Sequence, residues 1–111
     1  VCDQIGTPTY ARDLAKTILD IIPIIKNDKV EIYHYSNEGV SSWYDFAKEI
    51  MKMAKLDCNI KPIETFQYPT PAKRPYYSLL NKNKIKKTFN IEIPYWKDGL
   101  DDCLKRLGEK K

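Results

Sequence analysis

Apolar residues return along this chain with two different periods. Leu14, Ile18, Ile21 and Ile25 recur near the helical period, with Ala11 and Ala15 beside them. That spacing predicts a helix after Gly6, with Thr9 as its N-cap, since a threonine hydroxyl can accept from an orphan backbone N–H. Pro23 disfavours helical geometry at Ile22 and should stop or kink the element. Before it, Val1 to Ile5 is short and β-compatible. After it, Asn27-Asp28-Lys29 reads as a turn. Val30 to Tyr35 is dominated by β-branched and aromatic residues and predicts a strand, closed by Ser36 to Gly39.

The second helix carries the clearest pattern. Trp43, Phe46, Ala47, Ile50, Met51 and Ala54 form one apolar stripe, and Ser42 followed by Asp45 resembles a capping box with Asp in place of Glu. Leu56 to Asn59 closes it, and Ile60 to Ile63 fits a short strand. Glu64 to Pro75 holds Pro69, Pro71 and Pro75 and cannot be regular. Tyr76 to Leu80 is extended in this reading, and Asn81 caps a short helix with Ile85 and Phe89 a turn apart. Pro94 suits the first turn of a last helix, which buries Trp96, Leu100, Cys103, Leu104 and Leu107 and ends at Gly108.

Composition adds bounds. The chain has 111 residues, 42% hydrophobic and 31% charged, enough for one small domain with a core. It opens at Val1 inside an apolar-polar pattern, so we read it as an excised piece of a longer chain. No apolar run approaches the roughly 20 residues that span a bilayer. The longest, Ile18 to Ile25, is interrupted by Asp20 and Pro23. The net charge of +4 comes largely from Lys82, Lys84, Lys86 and Lys87 and from Lys105, Arg106, Lys110 and Lys111. We read these as solvated helix faces and a ragged terminus rather than a nucleic-acid footprint. Cys2, Cys58 and Cys103 are sparse, odd in number and far apart, which fits a reducing cytoplasmic setting.

Candidate catalytic chemistry is thin. His34 is the single histidine, and it reads as packed within the Val30–Tyr35 strand rather than as a general base. No metal-ligand spacing and no glycine-rich phosphate cradle is present, so no cofactor is assigned to this chain itself. Tyr44 and Lys48 have the Tyr-x-x-x-Lys spacing of short-chain reductases, but the apolar stripe accounts for that segment as helix packing.

Binding is the better prospect. Arg74 sits between Lys73 and Pro75 on proline-stiffened backbone, where a guanidinium suits bidentate contact with a diphosphate or simply decorates a surface loop. Gln4 and the Gly6–Thr9 turn either bond a base or sugar or only start the helix. The aromatic set Phe66, Tyr68, Tyr76 and Tyr77 either stacks on a base or packs the loop down.

Several ordered pieces carry a resemblance across nearly the whole chain. They are Asp3-Gln4-Ile5-Gly6-Thr7-Pro8-Thr9 with Asp13-Leu14-Ala15, then Tyr33-His34-Tyr35 with Gly39 and Ser42-Trp43-Tyr44-Asp45-Phe46-Ala47. Tyr68-Pro69-Thr70-Pro71-Ala72-Lys73-Arg74-Pro75, Ser78-Leu79-Leu80-Asn81 and Pro94-Tyr95-Trp96 follow. In this order they resemble the C-terminal part of dTDP-4-dehydrorhamnose reductases, a branch of the extended short-chain dehydrogenase/reductase superfamily. Such enzymes reduce a dTDP-4-keto-6-deoxy sugar to dTDP-L-rhamnose with NADPH or NADH. Their N-terminal part binds the cofactor and supplies the proton-transferring Tyr and Lys.

The resemblance implies an α/β fold of about four helices with a few short strands. Residues 1–55 would flank the cofactor domain's Rossmann sheet, and 56–111 would form a substrate cap. It implies that Gln4 and Arg74 face the nucleotide end of a dTDP-sugar, with Thr9 and Tyr68 nearby. It also places Arg12 where some relatives carry an acidic residue, so a metal-mediated contact there is not expected. Two other readings stay open: a non-catalytic binding subunit of the same superfamily, and a small basic nucleic-acid-binding domain. A further expectation is self-association, through the Val30–Tyr35 strand or the Leu14, Ile18 and Ile21 face, once the missing cofactor domain no longer covers them.

Overall fold

A computed structural model describes residues 1–108, and among them it has four helices and one two-stranded ribbon. Strand β1 (Ile5–Gly6) leads to α1 (Ala11–Ile21); β2 (Ser41–Ser42) leads directly into α2 (Trp43–Ala54). A single 3-10 turn at Thr65–Gln67 interrupts the proline-rich stretch, and α3 (Asn83–Phe89) and α4 (Trp96–Leu107) complete the order.

The capping box on α2 forms as its sequence predicts. The Asp45 N–H donates to Ser42 Oγ at 3.1 Å, and the Ser42 N–H donates to Asp45 Oδ2 at 3.0 Å. Lys55, in the left-handed region at φ 55°, ends the helix. Gly108, at φ 76°, ends α4 in the same way.

Helix α1 departs from expectation at its start. Its N-cap is Tyr10, not Thr9, and no side chain caps it. Tyr10 stays extended because its N–H is engaged by Asn37 Oδ1 at 2.9 Å, so the helix begins one residue later. The helix then runs to Ile21 and stops ahead of Pro23. Pro94 likewise falls before the N-cap Tyr95 rather than inside the first turn of α4. The Asn81 carboxamide accepts the Asn83 N–H at 2.9 Å although Lys82 holds the cap position of α3.

The ribbon is antiparallel, with Ile5 opposite Ser42 and Gly6 opposite Ser41. The other edge of β1 is also used: the Ile5 N–H donates to Tyr76 O and the Ser78 N–H to Ile5 O, both at 2.8 Å. Tyr76 to Ser78, within the Tyr76–Leu80 stretch expected to be extended, is thereby tied to β1, a pairing the sequence did not predict.

Two expected strands do not form. Val30–Tyr35 joins no ladder, because β-propensity needs a pairing neighbour and none of the described residues supplies one. Val30 is 94% exposed and Ile32 71%. The segment is held instead by its Tyr33 ring, 5.0 Å from that of Phe89, and by Lys84 Nζ, which donates to Ile32 O at 3.0 Å. His34 is exposed there, not packed. Ile60–Ile63 makes a single tie, from the Cys2 N–H to Ile63 O at 2.8 Å, too little for a strand.

The core lies between α2 and α4 and so joins residues on both sides of the expected division at residue 55. Trp96, Leu100 and Leu104 are buried there, with Phe46, Ile50, Met53 and Ala54 packed on them. The Phe46 and Trp96 rings meet edge to face at 6.0 Å, the geometry aromatic quadrupoles favour. Leu107 and Trp43, both expected on buried stripes, are 67% and 63% exposed. Gly99 brings α4 against the start of α1, since a Cβ there would lie 3.0 Å from that of Tyr10.

Candidate functional site

A cleft of about 730 Å³ opens where β1, β2 and the proline loop meet. One wall is Gln4 to Pro8, the second is Ser41, Ser42, Trp43 and Phe46, and the third is Tyr68, Thr70, Arg74 and Pro75, with Ser78 beside them. The ribbon register explains the meeting. Pairing Gly6 with Ser41 places the β1 loop against the first turn of α2, and the Ile5 bonds to Tyr76 and Ser78 bring the end of the proline loop to the same edge. The Thr7 hydroxyl donates to Gly39 O at 2.6 Å and fixes the loop above β1.

The fold thus brings Gln4, Tyr68 and Arg74 together across about 70 residues of sequence, as expected for loops on a shared scaffold. Thr9 does not line the cleft. It is exposed, and Thr7 and Pro8 occupy the wall where it was expected. The signal for the second wall was present but read as packing: Trp43 lies at the edge of the α2 stripe and turns toward the cleft. Of the aromatic set only Tyr68 lines the cleft; Phe66, Tyr76 and Tyr77 do not, and all four are largely exposed rather than packed down. Tyr44 and Lys48 lie outside it as well.

Arg74 is the one charged side chain among the lining residues, and no acidic side chain stands with it. Elsewhere several of the basic residues are paired with carboxylates. Lys82 Nζ lies 3.1 Å from Glu38 Oε2, Lys86 pairs with the same carboxylate, Lys84 pairs with Glu31 at 2.6 Å, and Arg106 with Asp102 at 2.7 Å. Burial pushes the Glu38 carboxyl up, but Lys86 and Lys82 together outweigh it and hold it below its ordinary value. Among the described residues, Lys82, Lys84 and Lys86 of the 82–87 lysine cluster are thus each paired with a carboxylate. Lys110 and Lys111 lie outside them.

Gln4 is set from behind. Asp3, its neighbour, accepts the Thr65 N–H at 3.0 Å on each oxygen and the Thr65 hydroxyl at 2.8 Å, and Gln4 Nε2 donates to Thr65 Oγ1 at 3.2 Å. The backbone bond from Thr65 is the main cause of the lowered Asp3 carboxyl pKa. Among the described residues no group of three or more His, Cys, Asp or Glu could hold a metal ion. None of their helices is long and apolar enough to cross a membrane.

Known proteins resemble this chain in sequence and fold. A family model described as RmlD substrate binding domain matches residues 1–109. The chain is 40% identical over 109 residues to the dTDP-4-dehydrorhamnose reductase of Aggregatibacter actinomycetemcomitans, covering 90% of this chain and 37% of that protein. It is 36% identical over 104 residues to the spore coat polysaccharide biosynthesis protein SpsK of Bacillus subtilis, covering 94% of this chain and 35% of that one. Among solved structures, the dTDP-4-dehydrorhamnose reductase ortholog of Clostridium acetobutylicum superposes with a TM-score of 0.88 at 36% identity, over 97% of this chain and 38% of that chain. The Bacillus anthracis reductase, solved in complex with NADP, superposes at 0.83 with 34% identity, over 95% and 36%. The chain thus spans well under half the length of the relatives it matches. With a family model that matches residues 1–109 and a fold shared with solved relatives, it belongs to the RmlD substrate-binding domain family.

Proposed function

We propose that this chain is the substrate-binding part of an NAD(P)H-dependent nucleotide-sugar reductase that converts dTDP-4-dehydrorhamnose to dTDP-L-rhamnose. The observation that carries the reading is the cleft. It gathers Gln4, Tyr68 and an unneutralised Arg74 from segments distant in sequence. An unpaired guanidinium on proline-stiffened backbone is fitted to a diphosphate, which needs a planar pair of donors. Tyr68 and Trp43 give flat apolar faces beside it, suited to a base or a sugar ring. Thr9 is not carried forward into this site.

In this reading the chain supplies specificity and closure over the substrate, while a separate part of the longer protein holds NADPH or NADH and the reacting groups. Residues 1–55 would flank that cofactor-binding part and 56–111 would cap the substrate. The chain alone would bind no cofactor and would not reduce the ketone. The setting would be cytoplasmic, where such nucleotide sugars and reduced cofactors meet.

The test compares the 111-residue chain with the longer protein, each given the dTDP-4-keto-6-deoxy sugar and NADPH. Turnover by the longer protein, with none above blank for the isolated chain, is the expected result. Turnover by the isolated chain, free of host reductase, would overturn the division of labour. A longer protein that consumes no NADPH with this sugar would overturn the substrate.

A further inference from the structure

The hydrogen bonds behind Gln4 fix more than its position. A threonine hydroxyl has one proton and two lone pairs, and an ionised carboxylate only accepts. Thr65 gives its proton to Asp3 Oδ1 at 2.8 Å, so toward Gln4 it can only accept. The Gln4 carboxamide must then turn its nitrogen to Thr65, as the 3.2 Å contact from Nε2 shows. The Thr65 N–H, shared between both Asp3 oxygens at 3.0 Å, keeps that carboxylate from rotating away. Neither Asp3 nor Thr65 lines the cleft, whereas Gln4 does, and Gln4 Oε1 has no partner among the described residues. The oxygen is therefore left for whatever occupies the cleft.

We propose that Asp3 and Thr65 are positioning residues that lock the Gln4 carboxamide with its oxygen offered to the cleft, so that the site prefers a pyrimidine whose ring nitrogen carries a proton to one whose ring nitrogen is bare. This rests on the reading of the cleft as a nucleotide-sugar site. Without the lock a glutamine amide can flip and serve either base edge, because its two ends are nearly the same size and opposite in hydrogen-bonding sense. With it, a bare ring nitrogen faces an acceptor and loses its hydrogen bond.

The experiment measures binding of dTDP and of 5-methyl-dCDP to the longer protein by calorimetry. The two ligands share the sugar, the diphosphate and the methyl group, and differ only at ring positions 3 and 4. The wild type should prefer dTDP. Asp3→Asn can donate to Thr65 and free its hydroxyl proton for the Gln4 oxygen, so the preference should fall by about three- to tenfold, the range of one hydrogen bond. Pyrophosphate affinity, which does not involve the Gln4 carboxamide, should not move, and its retention also shows that the variant is folded. Thr65→Ser should keep the preference and Thr65→Val should lose it, which decides the matter if Asp3→Asn does not fold. A wild-type preference in both Asp3→Asn and Thr65→Val, or in Thr65→Val where Asp3→Asn does not fold, would overturn the lock. So would equal loss in Thr65→Ser and Thr65→Val. A wild type whose dTDP binding is absent or indifferent to Arg74→Ala would instead overturn the nucleotide-sugar reading of the cleft, and the lock with it.

Discussion

Asn37 lies in the loop between α1 and β2, and its carboxamide oxygen accepts the backbone N–H of Tyr10, 27 residues earlier, at 2.9 Å. Its nitrogen donates to Asp13 Oδ2 at 2.7 Å and to Pro94 O at 3.3 Å, so one side chain ties the start of α1 to the approach of α4. Asn37 is fully buried. Through Tyr10 it also sets where the Gly6–Pro8 wall of the cleft ends.

Removing that side chain strands several buried groups at once. Asn37→Ala is expected to lower stability toward the upper end of about 1–3 kcal/mol, the cost of leaving buried partners unsatisfied. Urea unfolding followed by far-UV circular dichroism measures it. Asn37→Asp should be worse at neutral pH, where two carboxylates would face each other at Asp13, and should recover on mild acidification. Equal stability of Asn37→Ala and the wild type would mean that α1 is held by other contacts.

The sequence made the local elements readable and left the long-range ties hidden. Ser42 with Asp45 and the apolar stripe behind them identify α2, and Gly108 marks the end of α4, because capping and termination depend on neighbours within a turn. Thr9 looked like a cap because its hydroxyl was suitable. The cap moved to Tyr10 because of Asn37, a residue that nothing nearby marks as a partner. Val30–Tyr35 has the composition of a strand, but composition does not supply a pairing edge. Arg74 was readable as a binding candidate from its stiffened backbone, whereas Gln4 and Tyr68 entered through the family resemblance. Ser41, Trp43 and Phe46 were not, since a stripe on a helix cannot say which of its edges a distant loop will reach.

Arg74 gives a direct measure of the cleft. Arg74→Ala in the longer protein should weaken nucleotide-sugar binding by about 1.5–3 kcal/mol, the range for a hydrogen bond to a charged group. Arg74→Lys should recover only part, because an ammonium cannot reproduce the planar fork. Calorimetry with dTDP reads both. Unchanged affinity in a folded Arg74→Ala protein would remove this residue from the site.

Acid should loosen the chain through a small set of carboxylates. Ser42 holds the Asp45 carboxyl below its ordinary value, the Thr65 backbone bond does so for Asp3, and Arg106 does so for Asp102. A group whose folded pKa is depressed binds its proton more readily when unfolded. Its stabilisation is complete above the unfolded value, near 3.8 for Asp, and is lost as pH falls through the lowered folded values. Thermal stability should therefore be level from neutral pH down to about pH 5 and decline below pH 4. Asp45→Asn should shrink that decline, since it removes one of the contributing protonations. A decline that starts near pH 6 would point to a different group.

The last expectation concerns surface left uncovered on the 111-residue chain. Its radius of gyration is 16.5 Å, against about 13 Å for a compact domain of this length, so it is a flat body with a small core. Ile18, Leu19, Ile22, Ile24 and Ile25 are 48%, 69%, 60%, 52% and 45% exposed, and they lie together along α1 and the turn after it. Adjacent exposed apolar side chains of this size make a patch that stable monomers rarely leave open. Val30–Tyr35 adds unpaired backbone next to it, though without the ladder a ready strand edge would offer. Self-association should accordingly run through the isoleucines of α1 more than through that segment. Light scattering should show a mass that rises with concentration, and Ile18→Lys with Ile22→Lys should return it toward 13.0 kDa. Val30→Lys should do less. A wild-type chain that stays at the monomer mass at high concentration would mean that the α1 patch is too small or too mobile to drive association, and the exposure of those side chains would then be tolerated without a partner.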